Sequence, residues 1–166
     1  GSTSASLGSN GNLLNLSPCF FLRAINSLRE SLSKIRGLAN RFFQYPLLEG
    51  GTIDVKAHDK LLIINYWAIW CAPCRKEIPE LNELATHYAD KLTVVGVNFD
   101  GSQDDVLRSE ITKLGIKFPS LIQDPRETWG LEPVSILPET LIISGDGKVL
   151  HRLIGPQTLA SIEKLL

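Results

Sequence analysis

Two cysteines separated by two residues, Cys71 and Cys74, lie in the run Trp70-Cys71-Ala72-Pro73-Cys74. Before them, Leu61 to Trp67 is a continuous apolar stretch rich in β-formers. After them, Ile78, Leu81, Leu84, Ala85 and Tyr88 recur at helical spacing. C-x-x-C at a strand-to-helix junction inside a βαβ unit reads as a redox pair. The two intervening residues bring both sulfurs within disulfide distance across the first helical turn. Cys71, at the helix start, faces unpaired N–H groups and the positive end of the helix dipole, which favour its thiolate. Pro73 suits that first turn because its missing N–H has no helical partner to lose. Cys74 lies one turn inward, shielded, and is expected to act second. The competing reading is a zinc half-site or two inert core cysteines. Zinc needs a second ligand pair, and Cys19, His58, His87 and His151 show no matching spacing, so no metal is expected.

The elements that hold this motif alternate between strand and helix. Gly50-Gly51 reads as a turn and Thr52–Val55 as a short strand. Leu61–Trp67 has the pattern of a central strand buried on both faces. A helix is expected from Cys74 to about Tyr88, a second buried strand over Leu92–Phe99, and a helix over Asp104–Leu114 ending at Gly115. Pro138–Ile143, the turn Gly145-Asp146-Gly147 and Lys148–Leu153 read as a hairpin. Thr158–Leu166 reads as a closing helix capped by Thr158 or Gln157. The order is β-α-β-α-β-β-α, with a parallel unit first, an antiparallel hairpin last and no internal repeat.

The first fifty residues differ in character. They carry five basic and two acidic residues, against twelve basic and sixteen acidic in the remainder. Residues 1–16 read as a flexible leader. Ser17-Pro18 then supplies an N-cap and a proline at the first helical position. Phe21, Ile25, Leu28, Leu32, Ile35, Ala39 and Phe42 follow at alternating steps of four and three, a heptad stripe. A helix is expected from about Pro18 to Phe43, within an N-terminal amphipathic segment spanning 17–46, stopped by Tyr45-Pro46. Three readings of the stripe stay open: packing on its own domain, a self-association seam, or an amphipathic helix on a membrane surface. Cys19, beside two phenylalanines, reads as a small apolar residue, with an intermolecular disulfide as the alternative.

At 166 residues, 43% hydrophobic and 21% charged, the chain suits one globular domain. A formal charge of −1 provides no positive field for nucleic acid, so no nucleic-acid partner is expected. No run of about 18 apolar residues marks a membrane span. An ordinary secretory signal is also missing from the polar, Ser-rich start. That leaves a cytosolic protein or one that begins after a removed targeting segment, and Gly1-Ser2, which looks like a cloning scar, favours the second.

The stretch from Asn65 to Pro79 resembles the thioredoxin superfamily, and more narrowly its TlpA/ResA-like branch, which includes the cytochrome c maturation (DsbE-type) thioredoxins. The likeness spans about Leu47 to Leu166. It rests on W-C-x-x-C, a proline five residues after the second cysteine (Pro79), and Pro138-Glu139-Thr140 at the last hairpin. It implies an α/β thioredoxin fold over 47–166, a central mixed β-sheet flanked by helices, with the N-terminal amphipathic helix as an extra. It also implies that Pro138 is a cis-proline facing the active site. A substrate chain would lie extended against it, lined by Trp70, Ala72, Pro73, Leu137 and Gly155. Thioredoxins carry a buried Asp in the first strand where this chain has Asn65, and a neutral amide cannot accept a proton from the second thiol. Glu77, one turn after Cys74, is the replacement that the resemblance implies. The bland alternative is a solvated helix carboxylate like Glu80 and Glu83. Arg75 and Lys76 place positive charge beside the motif and are read as surface charge, with support of the Cys71 thiolate as the alternative.

The resemblance implies a thiol-disulfide oxidoreductase, with Cys71, Cys74 and Glu77 catalytic and no cofactor. Its partners would be disulfide-bearing protein substrates and a membrane thiol-disulfide electron donor, in a periplasmic or other extracytoplasmic compartment, with an anchor in a removed N-terminal segment. Two alternatives stand beside it. One is an oxidase or isomerase of the same fold, made a homo-oligomer through residues 17–46. The other is a copper-handling or docking module, in which soft thiolates bind a metal or a partner.

Overall fold

The computed structural model describes residues 1–4 and 18–166. The leader beyond residue 4, the Ser17 cap and the Cys19 side chain therefore lie outside the described residues. The chain separates into two compact units, Gly1–Ala39 and Asn40–Leu166. Taken by itself, helix α1 (Pro18–Arg41) places Phe21, Ile25, Leu28, Leu32 and Ile35 along one side. No helix among the described residues is long and apolar enough to cross a membrane.

The second unit opens with a hairpin. Strand β1 (Gln44–Pro46) runs antiparallel to β2 (Thr52–Asp54), and Gly50 and Gly51 turn between them with φ of 101° and 77°. Those positive φ values favour glycine. β1 corrects the expectation that the helix continues to Phe43. The chain leaves the helix at Arg41, and Tyr45 and Pro46 enter the hairpin instead of only ending the helix.

A mixed sheet of five strands follows, in the order β5-β4-β3-β6-β7. These are β3 (Leu61–Trp67), β4 (Leu92–Asn98), β5 (Ser120–Leu121), β6 (Glu139–Ile143) and β7 (Val149–Ile154). β3 and β4 pair in parallel, and β6 runs antiparallel to both β3 and β7. Helix α2 (Ala72–His87) crosses between β3 and β4. Helix α3 (Asp104–Leu114) ends at Gly115 with φ of 67°, and α4 (Leu159–Glu163) closes the chain behind a Thr158–Ser161 capping box. A 3₁₀ turn, Arg126–Trp129, precedes an irregular segment that leads into β6.

Alternation along β3 divides the core. Ile63 and Trp67 join Ile78, Leu81, Leu84, Leu107 and Ile162 on one face, while Leu62, Ile64 and Tyr66 join Ile53, Val95, Leu141 and Ile143 on the other. With both faces covered, β3 has no place for a solvated polar residue, which explains its unbroken apolar run. Asn65 is the exception, buried at 1% exposure on the α2 face.

Candidate active site

β3 delivers the chain to the motif and α2 carries it away. Cys71 is the N-cap of α2, with extended backbone angles, and its Sγ accepts from the Cys74 amide at 3.2 Å. Ala72 and Pro73 fill the first turn, where a proline loses no helical bond. Cys71 and Cys74 form a disulfide with Cα atoms 5.3 Å apart. Both belong to the core cluster, yet Cys71 keeps 4% of its surface exposed against 1% for Cys74. Trp70, Ala72 and Pro73 are exposed around them, as are Arg75 and Lys76. The Trp70 indole donates to both carboxylate oxygens of Asp100 at 3.2 and 2.9 Å and meets the Phe99 ring edge-on at 6.1 Å.

Behind the disulfide lies a buried carboxyl. Glu77 is 1% exposed, so it is not a solvated carboxylate; Glu83 is exposed, and Glu80 accepts from the Leu159 amide. Asn65 Nδ2 donates to Glu77 Oε1 at 2.9 Å, and Thr140 Oγ1 donates to the same oxygen at 3.1 Å. Asn65 and Thr140 face each other across β3 and β6. Burial pushes the Glu77 pKa up to about 7, partly offset by the Thr140 hydroxyl and the Gln157 backbone amide. Oε2 is buried without a hydrogen-bond partner. A carboxyl in this state can take or give a proton near neutral pH.

The Leu137–Pro138 peptide bond is cis. β3 and β6 pair with Tyr66 opposite Glu139, so Pro138 stands at the end of β3 from which the motif departs. Leu137 packs against the cluster that contains both cysteines. Gly155, with φ of 91°, donates its amide to the Pro138 carbonyl at 2.8 Å. The sequence-derived site residues thus gather around one end of the sheet.

A model of the AhpC/TSA family matches residues 39–152. The chain belongs to the AhpC/TSA family. Within it, the chain is 35% identical over 121 residues to the thiol-disulfide oxidoreductase ResA of Bacillus thuringiensis (strain Al Hakam), covering 72% of this chain and 69% of that protein. It is 36% identical over 106 residues to the thiol:disulfide interchange protein HelX of Rhodobacter capsulatus, covering 63% of this chain and 58% of that one. Among solved structures, a DsbF homologue from Corynebacterium diphtheriae matches with a TM-score of 0.62 at 28% identity, over 74% of this chain and 80% of that one. This AhpC/TSA chain is a thiol-disulfide oxidoreductase with a thioredoxin-like fold, as the resemblance implies.

Sequence reasoning missed one feature of this family member. A buried ion pair of Arg126 and Glu139, joined from the surface by Arg152, lies beside Pro138. Glu139 was visible within Pro138-Glu139-Thr140. Arg126 sits in a short turn without periodicity, so nothing in the sequence linked the two.

Proposed function

We propose that the chain reduces disulfides of extracytoplasmic protein substrates, with apocytochrome c as the substrate class favoured by its Pro138-Glu139-Thr140 motif. One observation carries the mechanism: a buried carboxyl, Glu77, one turn after Cys74, with its pKa pushed up to about 7. The Cys71 thiolate attacks one sulfur of a substrate disulfide. A mixed disulfide forms, and the first substrate sulfur leaves as a thiolate. Cys74 gives its proton to Glu77 and attacks Cys71 Sγ, which breaks the mixed disulfide and releases the second substrate thiolate. Two electrons have passed to the substrate, whose thiolates take up two protons, and Cys71–Cys74 is left oxidised. A membrane thiol-disulfide donor returns the two electrons. Trp70, Ala72, Pro73, Leu137, Pro138 and Gly155 line the place where the extended substrate chain lies.

Direction separates this reading from an oxidase or isomerase. The test is the Cys71–Cys74 reduction potential, measured by equilibration with thiol buffers and trapping of free thiols. A value near or below about −220 mV supports the reductase, whereas one near about −120 mV makes the protein an oxidant and overturns it.

The heptad stripe of α1 favours a second role, self-association through residues 17–46. Sedimentation of the full chain against residues 40–166, which keep β1 and its partner strand, tests it: a mass that falls to the monomer on truncation supports the role, and an unchanged mass removes it.

A further inference from the structure

A single buried guanidinium ties down the approach to Pro138. Arg126 opens the 3₁₀ turn and is 3% exposed. Its Nε donates to the Glu132 carbonyl, within the irregular segment that ends at Pro138. Its Nη1 lies 2.7 Å from Oε1 of Glu139, the fully buried residue that follows Pro138 and opens β6. The Tyr66 ring lies 5.2 Å from the guanidinium carbon. The Tyr66 hydroxyl donates to Asp124 Oδ1 at 2.8 Å, and that oxygen also accepts from the Arg126 amide at 3.0 Å. On the other side, Arg152 Nε and Nη2 reach the two Glu139 oxygens at 3.1 and 3.2 Å.

Stability alone does not account for this arrangement. A buried ion pair returns little net free energy over an apolar filling of similar volume. Arg126 Nη1 and Nη2 are, moreover, both buried without a hydrogen-bond partner, Nη1 meeting Glu139 only as an ion pair, which is a cost. What the guanidinium provides is geometric. Its rigid plane links a backbone carbonyl in the middle of a segment, held by the Nε donor, to a carboxylate at its end, held by the ion pair at Nη1. Leu131, Val134 and Leu137 pack from that segment against the core, but apolar contacts are not directional. The guanidinium supplies the direction.

We propose that Arg126 is a positioning residue for substrate binding: through Glu132 and Glu139 it fixes the segment Leu131–Pro138 in the shape that receives an extended substrate chain beside Cys71. This rests on the reading that the Pro138 segment binds substrate.

The test compares wild type, Arg126→Lys and Pro138→Ala as reduced proteins. The readout is the ratio of the rate constant with insulin, a polypeptide disulfide, to that with Ellman's reagent, a small one. Changes in thiol reactivity cancel in that ratio. Lysine keeps a charge near Glu139 but lacks the fork, so the ratio falls between roughly tenfold and a hundredfold, through KM for insulin. Amide hydrogen exchange at Ile136 and Leu137 quickens in the same variant while that of β3 does not. A wild-type ratio in Arg126→Lys alongside a lowered ratio in Pro138→Ala overturns the role of Arg126 and leaves the substrate reading standing. Wild-type ratios in both variants overturn the substrate reading and this inference with it. If Arg126→Lys does not fold, Arg126→Met, which keeps the packing volume, replaces it in the same comparison. Failure of both to fold makes Arg126 a structural residue only and ends the proposal.

Discussion

Asn65 Nδ2 lies 2.9 Å from Glu77 Oε1, joining the strand that enters the redox motif to the helix that leaves it. The amide donates and the carboxylate accepts, so the bond favours the ionised form, while burial favours the protonated one. Burial prevails, and the Glu77 pKa reaches about 7. The raised value means that the folded, oxidised protein holds a proton on Glu77 which the unfolded chain releases between its ordinary pKa of 4.5 and about 7. Stability therefore declines as pH rises through that window, by about 3 kcal/mol in total. Urea unfolding of the oxidised protein from pH 4 to pH 8 measures the decline. Glu77→Gln removes it, and a decline of the same size in that variant would show that another group is responsible.

Thr140 bears on the same carboxylate with the opposite sign to burial. Its hydroxyl donates to Oε1 at 3.1 Å and lowers the Glu77 pKa. Thr140→Val keeps the shape and removes the donor, so the pKa rises above about 7. With Glu77 as base, resolution of the mixed disulfide depends on its ionised form. The inflection in the pH profile of that step accordingly moves to higher pH in Thr140→Val. Stopped-flow measurement of mixed-disulfide decay follows it, and an inflection that stays in place detaches Glu77 from the step.

Gly96 governs the packing under the motif. A Cβ there would lie 2.9 Å from Trp67 Nε1 and 3.1 Å from the Phe118 ring. Trp67 is fully buried and cannot step aside cheaply. Gly96→Ala is expected to cost about 1–3 kcal/mol, read as a lower midpoint in denaturant unfolding with an unchanged slope. Alanine at wild-type stability would mean that Trp67 has room to move.

Much of this architecture was legible from residue types. The run Leu61–Trp67 announced a central strand because both of its faces are covered, and it is β3. Gly115 announced the end of α3, since its φ of 67° favours glycine. β5 is two residues long, too short for any periodicity to show, and β1 was hidden because Pro46 reads as a helix stop. At the site, C-x-x-C and Glu77 could be picked out because their spacing is local. The contacts that define the surroundings of Glu77 join residues 12 and 63 positions away: Asn65 meets it where β3 passes under α2, and Thr140 is brought in only by the pairing of β6 with β3. Arg126 and Glu139 met for a similar reason, across a segment without regular structure.

In the proposed reaction, the order in which the cysteines act follows from their unequal burial. Cys71 Sγ caps α2, accepts the Cys74 amide and keeps the larger exposure, so a substrate disulfide reaches it first. Cys74 is almost wholly covered and reaches only a sulfur already bonded to Cys71. Cys74→Ser should therefore arrest the reaction at the mixed disulfide and accumulate a covalent adduct with a protein substrate. Cys71→Ser should form none and lose activity by several orders of magnitude, because a hydroxyl is a poor nucleophile at neutral pH. Non-reducing electrophoresis followed by mass spectrometry of the adduct distinguishes the two. An adduct through Cys74 in the Cys71→Ser protein, with none in Cys74→Ser, would reverse the order of attack and show that the α2 N-terminus does not select the nucleophile.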